Sequence, residues 1–67
     1  MYGRRIKELR LKHSLTQTAL AKILNTTQKS ISTYEMELLD LSTDTIIAIC
    51  KYFDVSADYL LGLKDEY

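Results

Sequence analysis

Short helical segments, separated by Ser, Thr and Asn, dominate the pattern of this sequence. The clearest apolar period is Ile46, Ile49, Cys50 and Phe53, which has the spacing i, i+3, i+4, i+7 of an amphipathic helix. Alternation typical of strands is essentially absent. The 67 residues contain no proline and two glycines, so helix boundaries must be read from caps and periodicity. A chain of this length fits one small domain.

The expected fold is therefore all-α, with five short helices in a compact orthogonal arrangement. Asn25 tolerates the left-handed conformation that ends helices, and Gly62 closes the last one. The tail, residues 63–67, is expected to be loosely ordered. The predicted helices are Tyr2–Lys12, Gln17–Leu24, Gln28–Glu35, Thr43–Phe53 and Ala57–Leu61, and the last four follow the caps Thr16, Thr27, Ser42 and Ser56.

Several classes of protein are disfavoured by the residue content. Cys50 and His13 are the only cysteine and the only histidine, so neither an internal disulfide nor a Cys/His zinc site is expected. Without a nucleophile–base set or a glycine-rich phosphate loop, we expect no enzyme activity and no cofactor. Cys50 is interpreted as a small core residue and His13 as a cap at the end of the first helix. No apolar run suits a membrane span and no secretory signal opens the chain, so we expect a cytoplasmic protein.

Charge is balanced in the total and polarised along the chain. Residues 1–34 hold seven Lys and Arg against one Glu, whereas residues 35–67 hold two Lys against eight acidic residues. A basic face could meet nucleic acid phosphates, and an acidic face could meet solvent or a partner protein. Chance scatter of surface charge is the alternative.

The segment after Thr27 has the character of a helix that reads the major groove of DNA. Gln28, Lys29, Ser32 and Thr33 are predicted to point away from an apolar back. Gln can pair with an adenine edge, Lys can reach guanine, and Ser or Thr can serve base or phosphate. An ordinary solvated helix face would have the same pattern, so these residues alone do not decide between the two.

The segment ahead of that helix suits phosphate anchoring. Thr16 and Gln17 open the second helix with polar side chains and unpaired backbone N–H groups. Lys22 and Arg5 complete the predicted DNA-binding set.

The stretch from Leu15 to Glu35 resembles the helix-turn-helix of the lambda Cro and repressor family, also called the xenobiotic-response-element type. The similarity rests on Leu15-Thr16-Gln17, Leu20-Ala21, the run Leu24 to Glu35, Asp44-Thr45-Ile46, Phe53 to Ser56 and Asp58 to Gly62. It covers the chain from about Arg5 to Gly62. The resemblance implies a prokaryotic or phage regulator, most simply a repressor, that binds double-stranded operator DNA.

Residue roles also follow from the resemblance. Gln17, Thr27, Gln28, Lys29, Ser32 and Thr33 would contact DNA. Arg10 and Glu35 would form a partly buried pair that ties the first helix to the third; two separate surface charges are the alternative. The implied core is Leu20, Ala21, Leu24, Ile31, Tyr34, Ile46, Ile49 and Phe53.

The loop after Glu35 departs from the family. Family members usually have a glycine, then basic residues and a proline there, whereas this chain has Glu37, Leu38, Leu39, Asp40 and Leu41. An acidic and apolar loop should grip phosphate poorly. One of the two adjacent leucines is expected to turn inward.

Two partner hypotheses remain beside operator DNA. The family commonly dimerises through its C-terminal half, where Tyr59, Leu61, Leu63 and Tyr67 lie, so a homodimer is expected on two-fold operators. The alternative is an antitoxin-like or protein-interaction module that uses the acidic half of the chain.

Overall fold

The computed structural model describes residues 2–66, which form five helices without strands. They are α1 (Tyr2–Lys12), α2 (Gln17–Ile23), α3 (Gln28–Glu35), α4 (Thr43–Phe53) and α5 (Ala57–Leu60). The prediction of an all-α fold with five helices is confirmed. Helices α2 and α5 each end one residue earlier than predicted. Tyr67, one of the expected dimer residues, lies outside the described part of the chain.

Each of the last four helices begins directly after the predicted Ser or Thr cap. In every case the side-chain oxygen accepts a hydrogen bond from the backbone N–H three residues later, at 3.0 to 3.2 Å. These bonds satisfy backbone donors that have no partner within the helix. Polar side chains therefore determine where these helices begin in a chain without proline.

All five helices within residues 2–66 end in the same kind of hydrogen-bonded turn. After α1 to α4 the turn contains a non-glycine residue with positive φ, namely Ser14, Asn25, Glu37 and Asp54, and after α5 it contains Gly62. In each turn the next residue returns its N–H to a carbonyl five positions earlier, as Leu38 does to Thr33 at 3.0 Å. The turns are thus closed by backbone bonds and mostly without glycine.

The core lies where α1, α2, α3, α4 and α5 converge. Its fully buried side chains are Ile6, Leu9, Leu20, Ile31, Ile49 and Leu60. The expected core residues Leu24, Tyr34 and Ile46 are only partly buried at its edge, as is Cys50. Burial raises the pKa of the Cys50 thiol, which disfavours the reactive thiolate.

Tyr59 belongs to this core and not to the exposed surface expected for dimerisation. The Arg5 guanidinium lies over its ring, 4.4 Å from the centroid. Arg5 also donates to the Asp65 carboxylate at 2.8 Å. The tail, expected to be loose, is therefore connected to α1 as far as Asp65.

A buried ion pair joins α1 to the end of α3. Arg10 donates from Nε and Nη2 to the two carboxylate oxygens of Glu35, at 2.6 and 3.1 Å, and from Nη1 to the Leu15 carbonyl at 2.9 Å. The two side chains are 10% and 5% exposed. The structure thus has the pair implied by the resemblance and not two separate surface charges.

Gly3 permits a close approach of α1 to α3. A Cβ atom at this position would lie 2.5 Å from the Glu35 carbonyl oxygen and 2.7 Å from that of Tyr34. Both atoms are backbone atoms of a helix end, so they have little freedom to move away. Gly3 and Arg10 are seven residues apart and thus face α3 from the same side of α1.

We expect Gly3→Ala to destabilise the fold by about 1–3 kcal/mol, because the added methyl group overlaps backbone atoms of α3. Helix propensity alone predicts the opposite sign, a gain of about 0.5–1 kcal/mol. Urea denaturation followed by circular dichroism measures the difference, with Lys7→Ala on the exposed side of α1 as the control. A more stable Gly3→Ala variant would refute the close packing.

We expect Glu35→Ala to lower the free energy of unfolding by about 3–5 kcal/mol, since it leaves the Arg10 charge buried without a counterion. The double substitution Arg10→Met with Glu35→Leu removes both charges and should cost much less. The same denaturation measurement compares the two. Equal losses would mean that the pair acts only through its packing volume.

Candidate nucleic-acid interface

Helices α2 and α3 are joined by a short connection and pack against each other. Together they present one polar surface. Ile31 anchors α3 in the core, while Gln28 and Lys29 are exposed in its first turn. Ser32 and Thr33 lie on the same helix and are half-buried. The expected apolar back and polar front of α3 are therefore present, with the front most accessible at its N-terminal end.

A chain of hydrogen bonds runs from the buried ion pair to the first turn of α3. Glu35 Oε1, which accepts from Arg10, also accepts from Gln17 Nε2 at 3.1 Å. Gln17 Oε1 in turn accepts from Gln28 Nε2 at 2.5 Å. An ionised carboxylate only accepts, so Gln17 must direct its N–H towards Glu35 and its carbonyl oxygen towards Gln28. The ion pair thereby determines the orientation of both glutamines.

This orientation determines what each glutamine can still bind. Gln28 retains its carbonyl oxygen and one N–H, the acceptor and donor that an adenine edge requires. Gln17 retains one N–H, which suits a phosphate oxygen. The sequence placed both residues in the interface, but their mutual bond was not predicted because it depends on how α2 crosses α3.

The hydroxyl groups of the predicted set are largely used by the backbone. Thr16 accepts from the Ala19 N–H and keeps its hydroxyl hydrogen for another acceptor. Thr27 accepts from the Ser30 N–H and donates to the Ser30 hydroxyl. Thr33 donates to the Lys29 carbonyl at 2.7 Å. Towards a ligand, Thr33 can therefore offer only an oxygen lone pair and its methyl group.

Arg5 stands apart from the other predicted DNA-binding residues. It is two positions from Gly3, and residues with that spacing lie on different sides of a helix. The contacts of Arg5 with Tyr59 and Asp65 place it beside α5 and the tail. Gln17, Lys22, Gln28 and Lys29 instead lie on α2 and α3.

All three arginines of the sequence have a carboxylate partner. Arg4 pairs with Glu8 at 2.9 Å, and Arg5 and Arg10 pair with Asp65 and Glu35. The Arg5 and Arg10 side chains are mostly buried, so the exposed positive charge comes from the lysines and from Arg4. Among residues 2–66, no group of three or more His, Cys, Asp or Glu side chains is placed to hold a metal ion. Within the same range, no helix has the length and apolar character needed to cross a membrane.

Comparison with known proteins places these features in a family. The chain is 44% identical over 64 residues to the HTH-type transcriptional regulator ImmR of Bacillus subtilis, covering 96% of this chain and 50% of ImmR. It is 40% identical over 62 residues to the antitoxin PezA of Streptococcus pneumoniae, covering 92% of this chain and 39% of PezA. The chain thus spans about half or less of the length of these two relatives.

A solved structure supports the same assignment. The P22 c2 repressor, crystallised with a synthetic operator, superimposes with a TM-score of 0.83 and 30% identity over 90% of this chain and 91% of that one. Regulators of this class are not enzymes, in agreement with the expectation from residue content. A family model described as Helix-turn-helix matches residues 6–60, and the chain therefore belongs to the helix-turn-helix family.

Proposed function

We propose that this chain binds double-stranded operator DNA in a sequence-specific manner and thereby regulates transcription, most simply as a repressor. Helix α3 enters the major groove with its N-terminal turn first. The observation that carries the proposal is the bond between Gln17 and Gln28, because it fixes a donor and an acceptor at the exposed start of α3. The operator complex of the P22 c2 repressor and the name of ImmR support it.

Each residue of the interface has a proposed role that follows from its remaining hydrogen-bonding capacity. Gln28 reads a base edge, and Lys29 reads guanine or neutralises a phosphate. Gln17, Thr16 and Lys22 hold the sugar–phosphate backbone from α2. Thr27, Ser32 and Thr33 line the same surface. A cytoplasmic, nucleoid-associated location in a bacterium or an infected host cell accompanies this function.

Two copies are proposed to occupy a two-fold operator whose half-sites lie about 34 Å apart. With Tyr59 buried, Leu61 and Leu63 are the described residues of the expected dimer set that are exposed for the contact. An antitoxin-like role is a second candidate, and the similarity to PezA favours it.

We expect Gln28→Ala to weaken binding to the specific site by about 1–3 kcal/mol, the contribution of a paired contact to one base. Fluorescence anisotropy with the DNA upstream of the chain's own gene, against a scrambled duplex, measures this loss. Gln17→Ala should lower discrimination between the two duplexes as well, since Gln28 then loses its support. Lys51→Ala, on α4, is the matched control.

Salt dependence distinguishes the two roles of Lys29 in the same titration. If Lys29 contacts a phosphate, Lys29→Ala should reduce the slope of log K against log salt by about 1. If Lys29 contacts a base, the same substitution should relax discrimination at one position of the operator. Equal, weak binding to both duplexes that neither Gln28→Ala nor Lys29→Ala changes would contradict the proposed function.

For the homodimer, we expect sedimentation to give a complex of two chains with one two-fold duplex. Leu61→Ser with Leu63→Ser should weaken the binding of the second copy, because these side chains supply its apolar contact. Leu11→Ser, an exposed leucine on α1, should have no such effect. A complex of one chain per duplex, with free protein monomeric at high micromolar concentration, would exclude the dimer.

A further inference from the structure

An exposed apolar surface follows directly after the proposed DNA-reading helix. It consists of Met36, Leu38 and Leu39, which are 60%, 73% and 51% exposed, together with the acidic residues Glu37 and Asp40. We call these five residues the loop surface. The expected inward turn of Leu38 or Leu39 does not occur, and Leu41 is the leucine that packs against the core.

The backbone of the loop surface is held in place from several sides. Met36, Glu37 and Leu38 return their N–H groups to the carbonyls of α3, at 3.0 to 3.1 Å. The Tyr2 hydroxyl donates to the Leu39 carbonyl at 2.8 Å and lies 3.3 Å from an Asp40 carboxylate oxygen. The three apolar side chains are therefore presented by an ordered segment, which lowers the entropic cost of binding a partner.

The residues that close the turns after the five helices differ in exposure. The residue that closes such a turn commonly makes an apolar contact with its own helix. Leu15 after α1 is half-buried and Val55 after α4 is buried, whereas Leu38 after α3 and Leu63 after α5 are largely exposed. In addition, Glu37 holds a φ of 59°, a conformation that costs a non-glycine residue free energy. Strain and exposed apolar surface at one place are typical of a functional segment.

The charge around the loop surface indicates which kind of partner it fits. No Lys or Arg occurs between Lys29 and Lys51, and the ion pairs found among residues 2–66 do not include Glu37, Asp40 or Asp44. A phosphate backbone would be repelled here. A protein segment with an apolar centre and a Lys- or Arg-rich edge would have complementary character on both counts.

We propose that the loop surface is a docking site for a partner protein that presents a segment with an apolar centre and a Lys- or Arg-rich edge. Leu38 and Leu39 supply the apolar contact, and Glu37 and Asp40 attract the basic edge of the partner. Because α3 ends at Glu35, the partner would sit beside the DNA-reading helix. The proposal does not depend on the operator function, since the loop surface contains none of the residues proposed to bind DNA.

The test uses a short synthetic amphipathic helix of leucine and lysine as the probe. Its titration into the ¹⁵N-labelled chain should shift the amide resonances of residues 36–41 more than any others. Leu38→Ser with Leu39→Ser should weaken binding about tenfold or more, as removal of a binding hot spot does. Leu11→Ser, at an exposed leucine of α1 that is outside the proposed contacts, should change it less than about twofold.

Further variants and probes separate this proposal from simple charge attraction. Glu37→Gln with Asp40→Asn should weaken binding at low salt, and a probe with glutamate in place of every lysine should not bind. Amide shifts spread over the whole acidic half, or equal affinity of the double-leucine variant, would overturn the proposal.

Two other outcomes would also overturn it. If the resonances of residues 36–41 shift with protein concentration in the absence of the probe, the loop surface is occupied by a second copy. If the double-leucine variant keeps its dispersed spectrum but loses affinity for operator DNA, the loop surface belongs to the DNA interface.

Discussion

The ion pair between Arg10 and Glu35 is the interaction on which the arrangement of this small protein depends. It bridges α1 and α3, and through the Leu15 carbonyl it also holds the segment that leads into α2. A buried pair gains little net free energy over a well-packed apolar pair, but it tolerates few alternative geometries. Glu35 then extends the same constraint to Gln17 on α2. The relative placement of three helices is thus fixed by polar contacts at one point.

Local patterns made most of the fold predictable. Ser and Thr caps mark four helix starts, and the apolar stripe of α4 has an unambiguous period, so element boundaries deviated by at most one residue. These signals act within a few positions along the chain. The Arg10–Glu35 pair lies beyond their range and was predicted only through the family resemblance.

Predictions failed or stayed incomplete where they depended on long-range packing. Arg5 was grouped with the DNA-binding cations, yet its neighbours Tyr59 and Asp65 come from the other end of the chain. Tyr59 was named with the residues of the half through which the family dimerises, whereas it packs in the core. The inward turn was assigned to Leu38 or Leu39, whereas Leu41 is the leucine that packs against the core. The candidate DNA surface itself was identifiable from α3, but the bond between its two glutamines was not.

The bond between Gln17 and Gln28 has a consequence for how the binding preference of this chain can evolve. Gln28 is exposed, yet its orientation is set by its hydrogen bond to Gln17. Gln17 is oriented in turn by Glu35 in the interior. A substitution at 28 that cannot donate to Gln17 leaves the Gln17 carbonyl oxygen, which Glu35 holds in this direction, without its partner. New operator preferences are therefore reached most readily by paired changes at both positions, so that across related sequences the two residues should vary together.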